Sequence, residues 1–171
     1  GISLPKTLRR LSLRQNHPLV ALDIMCGGGK AVQELNKENG INAFGVDRVY
    51  YPEHLESEYN NRFIIAPAED LSMIPDASVD LITSVIGIAE YSSSLYDAMS
   101  EALRVLRPGG ELHTTPFMSK EELSNSHYSA LGHSEGYRAI EDHEKRTGQR
   151  VKYEATRKIL PLRNLIRSGI S

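Results

Sequence analysis

Apolar residues gather in five short runs, LVALDIM (19–25), NAFGVDRV (42–49), RFIIAPA (62–68), VDLITSVIG (79–87) and GELHTTPF (110–117). Most are separated by helix-length mixtures of polar and apolar residues. That alternation predicts parallel strands joined by crossover helices. KAVQELNKENG sets Val32 and Leu35 at helical spacing and closes on Gly40, a suitable helix stop. SLYDAMSEALRVLRPGG carries Leu95, Met99, Ala102, Leu103 and Leu106 on one helical face and stops at Pro108, Gly109 and Gly110. Ahead of the first run, Leu4, Leu8 and Leu11 stand at the spacing of one short amphipathic helix.

The last third breaks this rhythm. Ser119 with Glu122 three residues later has capping-box spacing and predicts a helix start. YRAIEDHEK and RVKYEATRKIL, separated by RTGQ, read as two arms of an antiparallel hairpin. No internal repeat, low-complexity segment or linker interrupts the chain. The prediction is one domain over 1–171, with an N-terminal helix or arm at 1–18, a core at 19–160 and a tail at 161–171. Its fold class is α/β: a Rossmann-like three-layer sandwich around a mostly parallel seven-stranded sheet that ends in a C-terminal antiparallel hairpin.

Composition narrows the function classes. With 171 residues, 40% of them hydrophobic, the chain suffices for one compact domain with a real core. It has no run of about 18 apolar residues and no signal-like start, so neither membrane spanning nor secretion is expected and the predicted location is cytoplasmic. A start at Gly1 without an initiator methionine raises the expectation of a processed or truncated chain. The single cysteine, Cys26, excludes an intrachain disulfide, a cysteine-rich zinc site and two-cysteine redox chemistry, and no metal site is expected.

Charge is unevenly spread. Residues 1–18 hold four basic residues and no acid, 146–171 hold seven against Glu154, and 19–145 hold nine basic and twenty-one acidic residues. Such asymmetry suits an anionic acceptor such as RNA, a phosphorylated metabolite or an acidic protein, or docking of the basic ends on the acidic middle of a second copy. Only Tyr153 interleaves with the basic residues, so specific nucleic-acid recognition is not expected.

The candidate chemistry centres on VALDIMCGGGKAV. Strand, glycine turn and helix in that order bring free backbone N–H groups to the carboxyl edge of a parallel sheet. A nucleoside triphosphate loop fails at two of its four fixed positions, where Ile24 replaces the first glycine and Ala31 the hydroxyl residue. A dinucleotide loop keeps Gly27 and Gly29 and loses its third glycine to Val32. S-adenosylmethionine is the third candidate. Asp47, at a strand end about twenty residues beyond the turn, suits the ribose hydroxyls of any adenosine ligand.

In LDIMCGGG, FGVDRV, APAEDLSMIPDASVDLITSV and ALRVLRPGGEL, taken in that order, the chain resembles the class I S-adenosylmethionine-dependent methyltransferases over Leu19 to about Leu160. The resemblance implies S-adenosylmethionine as methyl donor and S-adenosylhomocysteine as product. It puts Asp23 near the methionyl end, Met25, Cys26, Gly27 and Gly29 in the turn, and Asp47 with Arg48 at the ribose. Ala68, Glu69 and Val85 complete the implied donor site. The expected hairpin also separates this family from an NAD-binding domain, which would continue with parallel strands. Two positions depart from the family pattern. Met25 replaces a glycine that lets the donor approach closely, and Pro67 replaces an acid that accepts the adenine amino group. Glu69 or Asp70 would have to substitute, or Ala68 backbone and shape alone, and weak donor binding is expected.

Methyl transfer is an in-line displacement, so the protein mainly aligns an acceptor and sometimes removes a proton. SVIGIAEY after the fourth strand disfavours the branch that methylates amino groups through an Asn/Asp-Pro-Pro-aromatic sequence. Cys26 lies in the donor turn, where a nucleophile on a pyrimidine is not expected. Acceptor-side candidates are Glu90 as a base, Tyr91, His113 and Phe117, with Tyr50 and Tyr51 bordering the adenosine. Only eighteen residues precede the first strand, enough for one short helix, so a large acceptor, a dimer partner or a flanking segment lost from the chain is expected to complete the pocket. The alternative is a methyltransferase-fold scaffold for protein interaction, with an NAD-binding domain third.

Overall fold

The computed structural model describes residues 4–49, 51, 53, 57–84, 87–114 and 127–155. Helix α1 (Leu4–Ser12) precedes β1 (Leu19–Ile24), α2 (Lys30–Asn36), β2 (Ile41–Asp47), a 3-10 turn at Ser57–Arg62 and β3 (Phe63–Ile65). Then come β4 (Val79–Ser84), α3 (Ile88–Tyr91), α4 (Leu95–Val105), β5 (Leu106–Thr114), α5 (His127–Thr147) and β6 (Lys152–Ala155). Among the described residues six strands form one sheet in the order β3-β2-β1-β4-β5-β6. Every neighbouring pair is parallel. The chain leaves central β1 one way for β2 and β3 and the other way for β4 to β6. That reversal opens a crevice at the carboxyl ends of β1 and β4, where sheets of this kind bind ligands.

The strands are apolar on both faces because both are covered. On one face Leu19, Ala21, Ala43 and Leu81 pack with Leu8 and Leu11 of α1 and with Val32 and Leu35 of α2. On the other, Leu22, Ile24, Val46, Ile82 and Leu112 pack with Met99, Ala102 and Leu103 of α4 and with Ala139 and Ile140 of α5. Ser94 caps α4 by accepting from the Asp97 N–H. Truncating one of its fully buried side chains, such as Leu103, would cost about 2–5 kcal/mol.

Ion pairs lock the amino edge of the sheet. The buried Asp80 accepts from Val20 N–H and Gln15 Nε2, both at 2.8 Å, and from Arg107 Nη1 at 2.9 and 3.0 Å. One carboxylate thus ties β1, the segment after α1 and the start of β5 to β4. Arg104 binds Glu101 and the Leu71 and Ile74 carbonyls, holding the loop before β4 against α4.

The C-terminal third corrects the sequence reading. Residues 137–145, expected as a hairpin arm, lie within α5. Gly136, Ala139 and Ile140 turn inward and His143 is half-buried, which is helical spacing and not alternation. Gly148 adopts φ 68° and its N–H donates to the Glu144 carbonyl at 2.8 Å, so the glycine read as a hairpin turn stops a helix. The next strand, β6, runs parallel to β5, from Glu111 opposite Lys152 to Thr114 opposite Ala155. The antiparallel hairpin is therefore replaced by a helix and a parallel strand, and its argument against NAD goes with it. A seventh strand does not occur among the described residues. β5 also starts earlier than expected: Leu106, assigned to a helix face, pairs with Val79, and Gly109 at φ 80° carries the strand through the Pro-Gly-Gly sequence. β3 is shorter than its apolar run and ends before Pro67, which has no N–H for a ladder. Of the helix expected from Ser119, the start lies outside the described residues and 127–133 fall within α5.

Candidate functional site

The glycine turn closes directly over β1. Met25 and Cys26 both donate their N–H to the Val46 carbonyl, at 2.8 and 3.2 Å, so the chain bends sharply as it leaves the sheet. Three residues of the next five are left-handed, Met25 at φ 58°, Gly27 at 52° and Gly29 at 70°. Such a φ is easy for glycine and costs a methionine roughly 1–2 kcal/mol. Met25 therefore holds a glycine's conformation at the position where the resemblance expects glycine.

Asp47, at the end of β2, reaches back to this turn. Its Oδ2 accepts from Gly27 N–H at 2.8 Å and its Oδ1 from Val49 N–H at 3.2 Å. Asp23 sits below, almost fully buried, with Thr83 Oγ1 donating to Oδ1 at 2.7 Å. Burial raises the Asp23 pKa to about 7; the Asp47 charge adds to this and the Thr83 hydroxyl partly offsets it. Burial, then Asp23 and Asp47, also push the half-buried Cys26 thiol well up, so it is no thiolate nucleophile at neutral pH. Among the described residues neither Asp23 nor Asp47 pairs with a cation.

The crevice floor is tight. Ser84 Oγ donates to the Ile24 carbonyl at 2.8 Å and accepts from Ile88 N–H at 2.9 Å, bridging β1 to the start of α3. A Cβ on Gly87 would lie 2.3 Å from Ser84 Oγ and 3.0 Å from the Met25 Cβ, so only glycine fits there.

On the adenine side expected from the sequence, Ala68 is buried beneath the loop after β3. Glu69 is already engaged. It accepts from Ser93 N–H at 2.5 Å, Ser93 Oγ at 2.8 Å, Ser94 N–H at 3.3 Å and Arg48 Nη2 at 2.9 Å. Burial would raise its pKa, but these donors hold it down to about 2. Asp70 accepts from Ser72 N–H at 3.1 Å. Glu69 thus clamps three loops together around Arg48, and both acids considered as substitutes for Pro67 hold backbone turns.

The structure brings Asp23, Met25, Cys26, Gly27, Gly29 and Asp47 together at the crevice, with Arg48, Ala68 and Glu69 along one rim. Tyr91 is exposed at the end of α3 and His113 is buried on β5. Tyr51 is half-buried. Tyr50, Val85 and Phe117 lie outside the described residues, as does the side chain of Glu90. Sequence reasoning passed over Thr83, Ser84, Gly87, Ser93 and Glu111. The first two were signalled by the polar end of VDLITS, an otherwise apolar run. No described helix is long and apolar enough to cross a membrane.

A protein-family model described as a methyltransferase domain matches residues 22–114. No curated protein matches. The fold is similar to a SAM dependent methyltransferase from Aquifex aeolicus, with TM-score 0.54 and 18% identity over 82% of this chain and 79% of that one. It is similar to the aminoglycoside resistance methyltransferase NpmB1, with TM-score 0.52 and 21% identity over 81% and 78%. A third similar structure is the 1,6-didemethyltoxoflavin-N1-methyltransferase of Burkholderia thailandensis, solved with S-adenosylhomocysteine, with TM-score 0.51 and 22% identity. That match covers 67% of this chain and 52% of the other, so the chain spans about half that enzyme's length. At these identities the likeness is one of fold.

Proposed function

Since the chain belongs to the methyltransferase-domain family, we propose that it binds S-adenosylmethionine across the glycine turn and methylates an acceptor. The observation that carries the reading is the pair of carboxylates, Asp23 and Asp47, that bracket this turn without a cation among the described residues. The donor set fits. Asp47 offers two oxygens to a ribose diol, Gly27 and Gly29 keep the approach bare, and Asp23 sets negative charge under a cationic donor. When bound, that donor supplies an electrophilic methyl group on a sulfonium. The Ala68 backbone, with Arg48 and Glu69 at the rim, encloses the adenine side.

The acceptor reacts through a hydroxyl, carboxyl, carbon or amine. It is either large enough to complete the open pocket itself or is enclosed by a second copy or another protein, and the basic ends favour an anionic body. The reaction belongs in the cytoplasm, where the lone Cys26 thiol stays reduced. Calorimetry with S-adenosylmethionine, S-adenosylhomocysteine and NAD tests the donor: binding of the first two without the third supports the reading.

A second reading, a methyltransferase fold kept as an interaction scaffold, is favoured by left-handed Met25 and by the commitment of Glu69 to Ser93 and Arg48. Silence from all three ligands would decide for it.

A further inference from the structure

Two acids of the sheet, Asp80 on β4 and Glu111 on β5, have no exposed surface. Buried carboxylates keep their charge only when cations come to them. Arg107 Nη1 meets Asp80 at 2.9 Å, while Arg10 Nε from α1 and Lys152 Nζ from β6 meet Glu111, each at 3.0 Å. The acids are hidden and their partners are not. The side chains of Arg10, Arg107 and Lys152 stay 26, 31 and 39% exposed, so what reaches solvent along this band is positive.

Helix α1 extends the band. Leu8 and Leu11 bury its inner side, and Arg10 on Glu111 with Gln15 on Asp80 pin the helix and the turn behind it to the sheet. Arg9 and Arg14 remain exposed and form no ion pair among the described residues. With Arg10 and Leu13 they line one open hollow. Arg9, Arg10, Arg14, Arg107 and Lys152 thus set five cations over two buried carboxylates. Residues 156–171 carry four basic residues and no acid, so the chain beyond β6 brings nothing to neutralise them.

The make-up of the band separates an acidic protein from a phosphate chain as its occupant. Protein interfaces set an apolar core inside a polar rim, but Leu13, 79% exposed, is the one large apolar side chain in the hollow. Nucleic-acid interfaces are polar and strongly positive, and a planar guanidinium takes two phosphate oxygens at once. The five basic residues interleave with no aromatic ring in this band, so the hold falls on the backbone and not on bases. Glu111 stands three residues before Thr114, the end of β5, which sets Arg10 about 10 Å below the carboxyl edge where the crevice opens. A long chain held on the band can reach that opening.

We infer that this face docks the phosphodiester backbone of a nucleic acid, and that part of the same chain is offered to the crevice as acceptor. The second half rests on the methyl-donor reading above; the docking does not.

The test is fluorescence anisotropy of the full chain, without donor, against labelled 20-nucleotide single strands of mixed sequence, one RNA and one DNA, from 50 to 300 mM salt. Binding of either supports the docking, and the tighter of the two identifies the source. Affinity should fall with salt at a log–log slope of about −0.7 per phosphate held. Arg9→Gln with Arg14→Gln should weaken binding about tenfold at 100 mM salt and make the slope shallower by roughly 1.4, with an unchanged thermal melt because neither residue holds an ion pair. Lys145→Gln with Arg146→Gln takes as much charge from the end of α5, on the opposite face, and should keep affinity within about twofold. Equal losses from the two double variants overturn the proposal. So does a wild-type chain that binds neither strand at 50 mM salt, or binds with no salt dependence, whatever the variants do. A salt-sensitive dimer abolished by the Arg9 and Arg14 changes would give the face to a second copy, and displacement by poly-glutamate as effective as by unlabelled strand would give it to an acidic protein; each overturns the proposal. Strand binding with silence from S-adenosylhomocysteine in calorimetry would overturn the donor reading alone.

Discussion

The two ends of the sheet treat their acids in opposite ways. At the amino edge Asp80 is surrounded by Arg107, Gln15 and the Val20 N–H, so its charge is satisfied by the fold itself. At the carboxyl edge Asp23 receives one hydroxyl and Asp47 two backbone N–H groups, with no cation for either among the described residues. Burial has been compensated where it only has to hold strands together, and left uncompensated where a positively charged ligand would complete it. A buried acid perturbed as Asp23 is marks a working site more often than a staple does.

The contrast breaks most visibly at Asp80. Asp80→Ala strands the Arg107 guanidinium and the Val20 N–H and should cost about 3–5 kcal/mol in urea unfolding; a loss under 1 kcal/mol would mean the amino edge is not held this way. Asp47→Ala should do the reverse. It removes two charge-assisted ribose contacts and should weaken S-adenosylhomocysteine about 100-fold by calorimetry, with little change in stability. Retained affinity would remove Asp47 from the donor site.

Asp23 sharpens the comparison through pH. Its folded pKa of about 7 lies above the ordinary aspartate value, so the native state keeps a proton that the unfolded chain has lost. Stability should therefore fall as pH rises from about 4 to about 7 and level off above. Asp23→Asn removes this slope. The variant should match the wild type near pH 4 and exceed it by a few kcal/mol, at most about 4, above pH 7 in thermal melts. Equal melts at both pH values would contradict an uncompensated Asp23. The smallest effect is expected at Met25. Met25→Gly relieves a left-handed methionine but adds unfolded-state freedom, so the net gain should be at most about 1 kcal/mol in the same melts. A loss of stability would show that packing against Gly87 outweighs the backbone cost.

Much of the carboxyl edge was legible in the sequence, because the glycine turn and Asp47 are local signals at fixed spacing. The first four strand runs were legible for the same reason. The amino edge and the β5 cluster were not: Arg10 and Glu111 lie 101 residues apart and Asp80 and Gln15 65 apart, and nothing local announces such pairs. Glu69 could be read as an adenine contact because its occupant, Ser93, comes 24 residues later. The hairpin failed for a different reason. Gly148 serves a helix stop as well as a turn, and next to RVKYEATRKIL, which does form β6, Tyr137 suggests a partner strand until the inward spacing of Gly136, Ala139, Ile140 and His143 is counted.

The central place of β1 sets a hazard during synthesis. Its pairing with β2 needs only the next few dozen residues, but its other edge waits for β4, 60 residues further along the chain. At about 5–20 residues per second on the ribosome, that edge stays open for roughly 3–12 s. An apolar strand left open that long is a template for a neighbouring chain. Asp23 puts a charged gatekeeper into LVALDI while the strand is naked and solvated. Once β4 arrives, burial raises its pKa to about 7, and the same carboxyl gives up part of its charge as the strand closes.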